Sequence, residues 1–268
     1  MLPVAVLAGL CEGSAMVIDP DQPETVLIAD NERSGELYRY TMDGVPLEGL
    51  ASLDLARMTV QDPVEDIEAL ASDATNLWIV GSQSRSKSGE EKPLRERIVQ
   101  LHAGGWTTWS IDWTGCAECA IEGFADLRNV EGAAIWSAHL WLGLRAPRLD
   151  GRSLLVELAP RAGSPVFEVV STHALDLGGL AIVDLSVNTA KPAALWILAG
   201  ASSGKATPQI FELAGPSATP KARGISLPED AEGLVVLPSG GARVVTDGAT
   251  AKDGTCKTTS TFYRSDKL

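Results

Sequence analysis

A short motif recurs five times along the chain, at intervals of roughly 50 residues. Its copies begin near residues 10, 66, 129, 176 and 230, and they read LCEGSAMV, DIEALASD, NVEGAAIW, DLGGLAIV and DAEGLVVL. In most copies a glutamate at the third position comes just before an apolar segment with the length of one strand. A unit of this size is typical of one propeller blade built from four strands.

Further strand-like segments follow each motif. Apolar runs such as LWIVGS and LWLGLR predict second strands, and alternating segments such as RIVQL and LLVEL predict third strands. Fourth strands are expected over TTWSIDW, VFEVVS and ARGISL. The last repeat has no fourth strand of its own before Leu268, so the segment from Pro3 to Ala8 is expected to complete it and to remove an unpaired edge. The sequence therefore predicts an all-β fold, with residues 1–268 forming a single β-propeller of five blades of about four antiparallel strands.

Charge and hydropathy exclude several classes of protein. The net charge is -13 and the isoelectric point is about 4.7, which argues against a nucleic-acid partner. No apolar run approaches the roughly 18 residues of a membrane span, so no membrane partner is expected. The opening MLPVAVLAGLCEG reads as a strand and not as a signal peptide. A monomer is expected, cytoplasmic as the chain stands and exported if a leader preceded it.

The four cysteines allow different pairings. Cys116 and Cys119 form a CxxC without the second ligand pair of a zinc site, so a local disulfide or two free thiols are expected. Cys11 and Cys256 lie in the first and last repeats, which ring closure makes neighbours. A disulfide across that seam is therefore geometrically possible.

The motif glutamates predict an acidic central channel, because the first strand of every blade lines the axis of a propeller. The third motif position holds Glu12, Glu68, Glu131, Gly178 and Glu232. Two positions before the glutamate, on the same strand face, lie Asp66, Asp176 and Asp230. Two further acidic residues, Asp30 and Asp247, stand at the ends of second strands. Crowded carboxylates must be protonated, paired or bound to metal.

Three interpretations of this ring stay open. Ca²⁺ accepts six to eight oxygen ligands, so the candidate metal ligands are Glu12, Glu68, Glu131, Glu232, Asp30 and Asp247. The glutamates could instead accept hydrogen bonds from the next blade and only join blades. Direct contact with a substrate is the third interpretation, and Arg145 could in any case fork into two of the glutamates as an internal counter-ion.

A basic, hydroxyl-rich segment lies between the second and third strands of the second repeat. With Arg145 it supplies the candidate ligand-binding residues Ser82, Ser84, Arg85, Lys87, Arg95 and Arg97. Arginine and hydroxyl groups suit a small ligand with a phosphate or carboxylate group. Glu90, Glu91 and Glu96 partly neutralise the segment, so a solvated hairpin is the alternative.

Several of these stretches together resemble one family. They are CEGSAMV, VEDIEALA, WIVGSQSRSKSGEEKPLRERIVQL, NVEGAAIW with LWLGLRAPRLDGRSLLVEL, and AEGLVVL with VVTDG. They are similar to the bacterial proteins grouped as domain of unknown function 3616, and more distantly to esterase-like phytase and strictosidine-synthase-like propellers. The resemblance runs from about Gly9 to Asp253 and is most specific between Ser82 and Arg97. It implies a propeller and carries no settled activity.

Two functions are compatible with these features. The first is a ligand-binding or partner-binding propeller. Its channel carboxylates either hold a divalent cation, for which Ca²⁺ is the candidate, or join the blades. The second is a calcium-dependent hydrolase of a phosphoester or lactone, in which the basic segment steadies an anionic substrate. The sequence shows no nucleophile or general base, so no catalytic residue is assigned and the enzyme question stays open.

Overall fold

The computed structural model describes residues 1–7, 9–31, 36–47, 52–54, 64–190, 192–202 and 205–268, with backbone only for 52–54. Its helical segments are a 3₁₀ turn at Trp113–Gly115 and a short helix α1 at Phe124–Leu127. The strands in chain order are β1 (Leu2–Val6), β2 (Gly13–Ile18), β3 (Thr25–Asp30), β4 (Glu36–Thr41), β5 (Ser52–Asp54), β6 (Ile67–Ser72), β7 (Leu77–Gly81), β8 (Ile98–His102), β9 (Gly105–Asp112), β10 (Asn129–Trp136), β11 (His139–Leu149), β12 (Arg152–Pro160), β13 (Val166–Leu175), β14 (Ala181–Val187), β15 (Leu195–Gly200), β16 (Gln209–Leu213), β17 (Lys221–Ala222), β18 (Ala231–Val236), β19 (Ala242–Thr246), β20 (Ala249–Thr250), β21 (Cys256–Thr258) and β22 (Thr261–Ser265).

The described strands form four-stranded antiparallel units arranged as blades. Blades one to four contain β2–β5, β6–β9, β10–β13 and β14–β17 in chain order, and blade five has the order β18-β19-β22-β1. The innermost strands β2, β6, β10, β14 and β18 contact one another in a closed cycle. The protein is therefore a β-propeller, as the repeat predicts.

The N-terminal strand closes the ring. β1 pairs antiparallel with β22, for example Leu2 with Arg264, and so forms the outermost strand of blade five. A disulfide between Cys11 and Cys256 bonds blade one to blade five at the same seam. The predicted closure is confirmed with strand bounds Leu2–Val6, and Ala8 lies outside the described residues.

The outer strands differ from the sequence prediction in three places. Blade one has a fourth strand, β5, which the repeat did not indicate. The segment ARGISL contributes only Ala222 to β17, because the pairing with β16 ends after Lys221 and Ala222. The outer strands β9 and β13 pair in parallel, which joins blades two and three into one eight-stranded sheet.

Apolar side chains fill the spaces between neighbouring blades. One cluster packs Trp78 of blade two against Leu142 of blade three, and the next packs Trp141 of blade three against Ile182 of blade four. Similar clusters lie between the remaining pairs of neighbouring blades. Burial of one such large apolar side chain contributes roughly 1.5–3 kcal/mol, so the stacking of blades is the main source of stability.

The inner strands approach one another so closely that two positions accept only glycine. A Cβ atom on Gly132 of β10 would lie 2.9 Å from the backbone nitrogen of Leu185 in β14. A Cβ atom on Gly233 of β18 would lie 3.0 Å from the Cβ atom of Met16 in β2. The glycine in the Glu-Gly pair of the motif is thus explained by strand approach at the axis.

The seam disulfide is expected to stabilise the fold more than the local one between Cys116 and Cys119. Replacing Cys11 and Cys256 by serine should lower the free energy of unfolding by about 2–4 kcal/mol, because the bond closes a very long loop. The matched control replaces Cys116 and Cys119 by serine, which opens a loop of a few residues. Urea unfolding under oxidising conditions measures both, and equal losses would contradict the stapling role.

Candidate functional site at the central channel

A β-bulge in each inner strand fixes which residues are equivalent around the axis. The bulge lies where the register of the inner strand shifts against the second strand of its blade. The residues at the bulge, in blade order, are Ser14, Glu68, Glu131, Val183 and Glu232. The predicted equivalence of Glu12 and Gly178 with the other motif glutamates is therefore wrong. Both precede their strands, because β2 begins at Gly13 and β14 begins at Ala181.

Three motif glutamates gather at one end of the channel, which we call the acidic mouth (Asp66, Glu68, Glu131, Arg145, Asp230, Glu232 and Asp247). Burial raises the pKa of Glu68 well above its ordinary value, and the charges of Glu131 and Asp66 raise it further. Burial also raises the pKa of Glu232 to about 8, with added repulsion from Glu131. These carboxyl groups are close enough to oppose one another's ionisation, as the sequence predicts for a channel ring.

Arg145 is the internal counter-ion of the acidic mouth. Its Nη1 atom donates to Oε2 of Glu131 at 3.0 Å, and the Glu131 side chain is only 7% exposed. Asn129 donates to the other oxygen of the same carboxylate at 2.5 Å. Burial raises the pKa of Glu131, while Arg145 and Asn129 oppose that rise. The prediction of an arginine counter-ion is supported, with one hydrogen-bonded glutamate and with Glu232 and Glu68 acting through space.

A cavity of about 210 Å³ opens beside Glu232. Its charged lining consists of Arg145, Lys205, Glu229, Asp230, Glu232 and Asp247. Lys205 pairs with Glu229 at 3.3 Å, and Arg145 pairs with Glu131. Among the described residues, no basic side chain forms an ion pair with the remaining carboxylates Asp230, Glu232 and Asp247. The described lining of the cavity therefore contains more acidic than basic side chains.

The carboxylates of Glu12 and Asp30 lie at the seam of the ring. Asp30 is fully buried and accepts a hydrogen bond from the backbone N–H of Cys11 at 3.0 Å. Glu12 accepts one at 2.6 Å from the backbone N–H of Thr250 in β20, which lies in the chain between β19 and β22 of blade five. Burial raises the pKa of Asp247 to about 6, and Glu12 is the next contributor. Glu12 thus both joins blades one and five and adds negative charge near the mouth.

The basic segment meets the acidic mouth at Asp66. Ser82 donates from its hydroxyl to Oδ2 of Asp66 at 2.5 Å, and Arg95 donates to the same oxygen at 3.1 Å. Ser84 lies between them, 2.8 Å from the Ser82 hydroxyl and 3.1 Å from Nη1 of Arg95. The two features that the sequence suggests separately therefore share one carboxylate.

Arg85 and Lys87 of the basic segment contact other groups or solvent. Arg85 pairs with Asp126 at 2.9 Å and with Glu91 at 3.3 Å, away from the axis. Lys87 is exposed. The backbone carbonyl of Arg97 accepts a hydrogen bond from the backbone N–H of Gly81. Of the predicted ligand-binding residues, Ser82, Ser84, Arg95 and Arg145 are brought to the mouth.

Two residues next to the mouth have an unusual backbone conformation. Asp66 has φ 57° and Gln83 has φ 60°, in the left-handed region that few non-glycine residues adopt. Backbone hydrogen bonds hold both: Ser82 N–H donates to the carbonyl of Asp66 at 2.9 Å, and Gln83 N–H donates to that of Arg95 at 2.9 Å. Such backbone positions concentrate at ligand sites, where the surrounding structure maintains them.

Asp184 is the acidic residue of the channel that the sequence analysis missed. It is fully buried in β14 and accepts hydrogen bonds from the backbone N–H groups of Leu234 at 2.7 Å and Leu185 at 2.8 Å. The backbone N–H of Met16 donates to it as well. This one carboxylate therefore connects blades four, five and one. A signal was available, because the aspartate interrupts the otherwise apolar strand segment AIVDLSV.

Serine hydroxyls also join the blades at the axis. Ser14 donates to the carbonyl of Ile67 at 2.7 Å, and Ser186 accepts from the backbone N–H of Val236 at 3.0 Å. Ser72 donates to the carbonyl of Ile18 at 2.9 Å. The joining role that we considered for the motif glutamates is thus shared among Asp184, serines and Glu12. Glu68 contributes through a 3.3 Å hydrogen bond from Asn31 of blade one.

The mouth has no preformed metal site within the described part of the chain. No three His, Cys, Asp or Glu side chains there are grouped closely enough to hold an ion directly. The calcium site therefore stays a prediction. In the same described ranges, no helix has the length and apolar character needed to cross a membrane.

Comparison with known protein families shows one match. The family described as Protein of unknown function (DUF3616) matches residues 122–260, which is about half of the chain. The chain belongs to the DUF3616 family. The match includes Glu131, Arg145, Asp184 and Glu232, whereas the segment from Ser82 to Arg97 lies outside it. None of the curated proteins matches the sequence.

Solved structures similar to this DUF3616 protein share little sequence with it. One is titled glucose dehydrogenase, with 16% identity, coverage of 97% of this chain and 98% of the other, and a TM-score of 0.49. Another is a structure of U3-55K, with 10% identity, coverage of 97% and 98%, and a TM-score of 0.47. A third contains the WD40 repeats of RRP9, with 10% identity, coverage of 98% and 98%, and a TM-score of 0.47. Because the identities are this low and the TM-scores lie below 0.5, these structures support no inference about activity or partners.

Asp184→Asn is expected to destabilise the propeller by about 1–3 kcal/mol, because an amide nitrogen would replace an oxygen that accepts from backbone N–H groups. Urea unfolding measures the loss. The matched control is Asp176→Asn, at an exposed turn where the carboxylate accepts from the N–H of Gly178. An Asp184→Asn protein as stable as the control variant would refute the connecting role.

Arg145→Gln is expected to lower the free energy of unfolding by about 1–3 kcal/mol and to make stability more dependent on pH. Without the guanidinium the pKa of Glu131 rises further, so the folded protein holds that proton more tightly than the unfolded chain does. The loss should therefore grow as pH rises from 5 to 8. Thermal melts across this range measure it, and adding Glu131→Gln to the variant should remove the extra slope. A loss independent of pH would contradict the pairing.

Proposed function

We propose that this protein is a ligand-binding propeller whose acidic mouth takes up a cation, with Ca²⁺ as the first candidate. The observation that carries the proposal is Glu232. Its carboxylate lines the 210 Å³ cavity beside Asp230 and Asp247. None of the described residues donates a hydrogen bond to this carboxylate. Burial raises its pKa to about 8. The charges of Glu131, Asp247 and Asp230 also oppose the ionisation of Glu232, and a bound cation would offset that repulsion.

The geometry also indicates how a cation would be held. The carboxylates surround the cavity and do not converge on one point, so direct ligation by three side chains is not preformed. Calcium commonly keeps waters among its six to eight oxygen ligands. An ion that retains part of its water shell therefore fits this cavity better than a fully dehydrated one. The strained backbone at Asp66 supports a binding role for this end of the channel.

A calcium-dependent hydrolase of a phosphoester or lactone is the second candidate, and the junction at Asp66 favours it. That junction places Ser84 and Arg95 next to the acidic mouth. A guanidinium and a hydroxyl beside a bound cation could contact the anionic group of a ligand or substrate. A panel of phosphoesters and lactones, assayed with calcium and with chelator, tests the hydrolase. Calcium-dependent turnover that Arg95→Gln reduces would support it, whereas no turnover of any substrate would leave the binding function alone.

Calcium binding should strengthen as pH rises through 8, because the cation competes with protons for Glu232 and Asp247. In chelator, these raised carboxyl pKa values mean that the folded protein holds more protons than the unfolded chain. Stability should therefore fall between the ordinary carboxyl pKa of 4.5 and about 8. Saturating calcium should reduce that fall, since a ligand of the folded state raises its stability. Isothermal titration at pH 6 and 8.5 and thermal melts in both conditions measure these effects.

Glu232→Gln should abolish the binding while keeping the fold. The control is Glu229→Gln, which removes an exposed carboxylate of the same cavity that already pairs with Lys205. It should bind calcium almost as the parent does. The proposal fails if the parent protein shows no binding at millimolar calcium, or if Glu232→Gln binds as well as the control.

A further inference from the structure

A second and larger cavity lies at the opposite end of the central channel. Its volume is about 480 Å³, and each of the five inner strands contributes to its wall. Representative lining residues are Ile18, Leu70, Ile135, Val187 and Val235. None of the residues that form the acidic mouth lines it. We call it the apolar mouth.

Asp184 separates the two mouths. Val183, one residue before it in β14, lines the cavity of the acidic mouth, and Leu185, one residue after it, lines the apolar mouth. Between them the buried carboxylate is held by N–H groups of three inner strands. The channel is thus divided into a charged half and an apolar half.

Small side chains create the space in the apolar mouth. Ala71 of β6 and the neighbours Ala133 and Ala134 of β10 line it. The rim is braced by the indole of Trp136, whose Nε1 atom donates to the carbonyl of Pro192 at 3.0 Å. A cavity of several hundred cubic ångströms with an apolar wall and a few polar groups has the size and character of a small-molecule site.

The charges at the rim are already satisfied. Asp19 is buried and pairs with Arg39 at 2.5 Å. Asp73 accepts hydrogen bonds from the backbone N–H groups of Thr75 and Asn76, each at 2.8 Å. Among the described lining residues, none is basic. A ligand with a net negative charge would therefore find the carboxylate of Asp73 and no described basic side chain in the lining, since Arg39 is held by Asp19.

Backbone groups can supply the polar contact. Within the described residues, each inner strand is the end member of its own four-stranded unit, so its other edge faces the channel. Such an edge offers carbonyl oxygens that accept hydrogen bonds. A hydroxyl group on a ligand can use them without bringing a charge into an apolar space.

We infer that the apolar mouth binds a small, uncharged, mainly apolar molecule bearing a hydroxyl group. Two matched probes test this class: phenylbutanol, and phenylbutyrate, which has the same apolar body with a carboxylate. Phenylbutanol should bind at one site per chain. Phenylbutyrate should bind about tenfold more weakly or not at all, because its charge must be desolvated beside Asp73. Binding is measured by titration followed by NMR of isotope-labelled methyl groups, including those of Val187 and Leu70.

Two variants test whether the probe binds in this cavity. Val187→Trp fills the mouth from a half-buried position, and Ala74→Trp covers it from an exposed rim position where the fold tolerates a bulky side chain. Both should abolish binding of phenylbutanol. The matched control is Val170→Trp, at a position that is 53% exposed on β13 and remote from the cavity lining. It should bind as the parent does.

The outcomes separate this inference from the cation proposal. Phenylbutanol binding that survives in Glu232→Gln and is lost in Ala74→Trp supports the apolar mouth whether or not calcium binds. Absence of binding at millimolar phenylbutanol overturns the inference. So does unchanged binding in both Ala74→Trp and Val187→Trp, and equal binding of phenylbutyrate overturns the uncharged class.

Discussion

The close approach of the inner strands around the axis is the constraint on which the rest of the structure depends. Gly132 and Gly233 allow neighbouring strands to come nearer than any side chain would permit. Because the ring is this tight, polar groups at the axis must find partners in adjacent blades. Asp184 satisfies three backbone N–H groups at once, and Ser14 and Ser186 satisfy others. Closure by β1 then leaves each blade packed between two neighbours.

The same tight ring explains the electrostatics of the acidic mouth. The bulges place Glu68, Glu131 and Glu232 around one end of a narrow channel, where burial penalises their charge. One arginine cannot neutralise all of them. Arg145 forms its hydrogen bond with Glu131 and leaves Glu232 beside an open cavity. The excess of acidic over basic side chains is thus a property of the assembled ring.

The two ends of the channel differ because the residues of each inner strand change character along its length. In β10, Glu131 belongs to the acidic mouth, whereas Ala133 and Ile135 line the apolar mouth. In β14, Asp184 divides the two ends. The arrangement gives the propeller two chemically distinct cavities with a common wall. A change at one end therefore need not alter the other.

The sequence by itself determined the number and order of the repeats, the role of the N-terminal strand and the convergence of several glutamates. These follow from local patterns, since a motif, an apolar run and an alternating segment each report on one strand. Tertiary structure alone decided which residues are equivalent at the axis. Ser14 and Val183 occupy positions that the letters assigned to Glu12 and Gly178, because β2 begins only at Gly13 and β14 only at Ala181, after those two residues. It also decided that Asp66 receives Arg95 and that Asp184 joins three blades, since both depend on contacts between residues far apart in the chain.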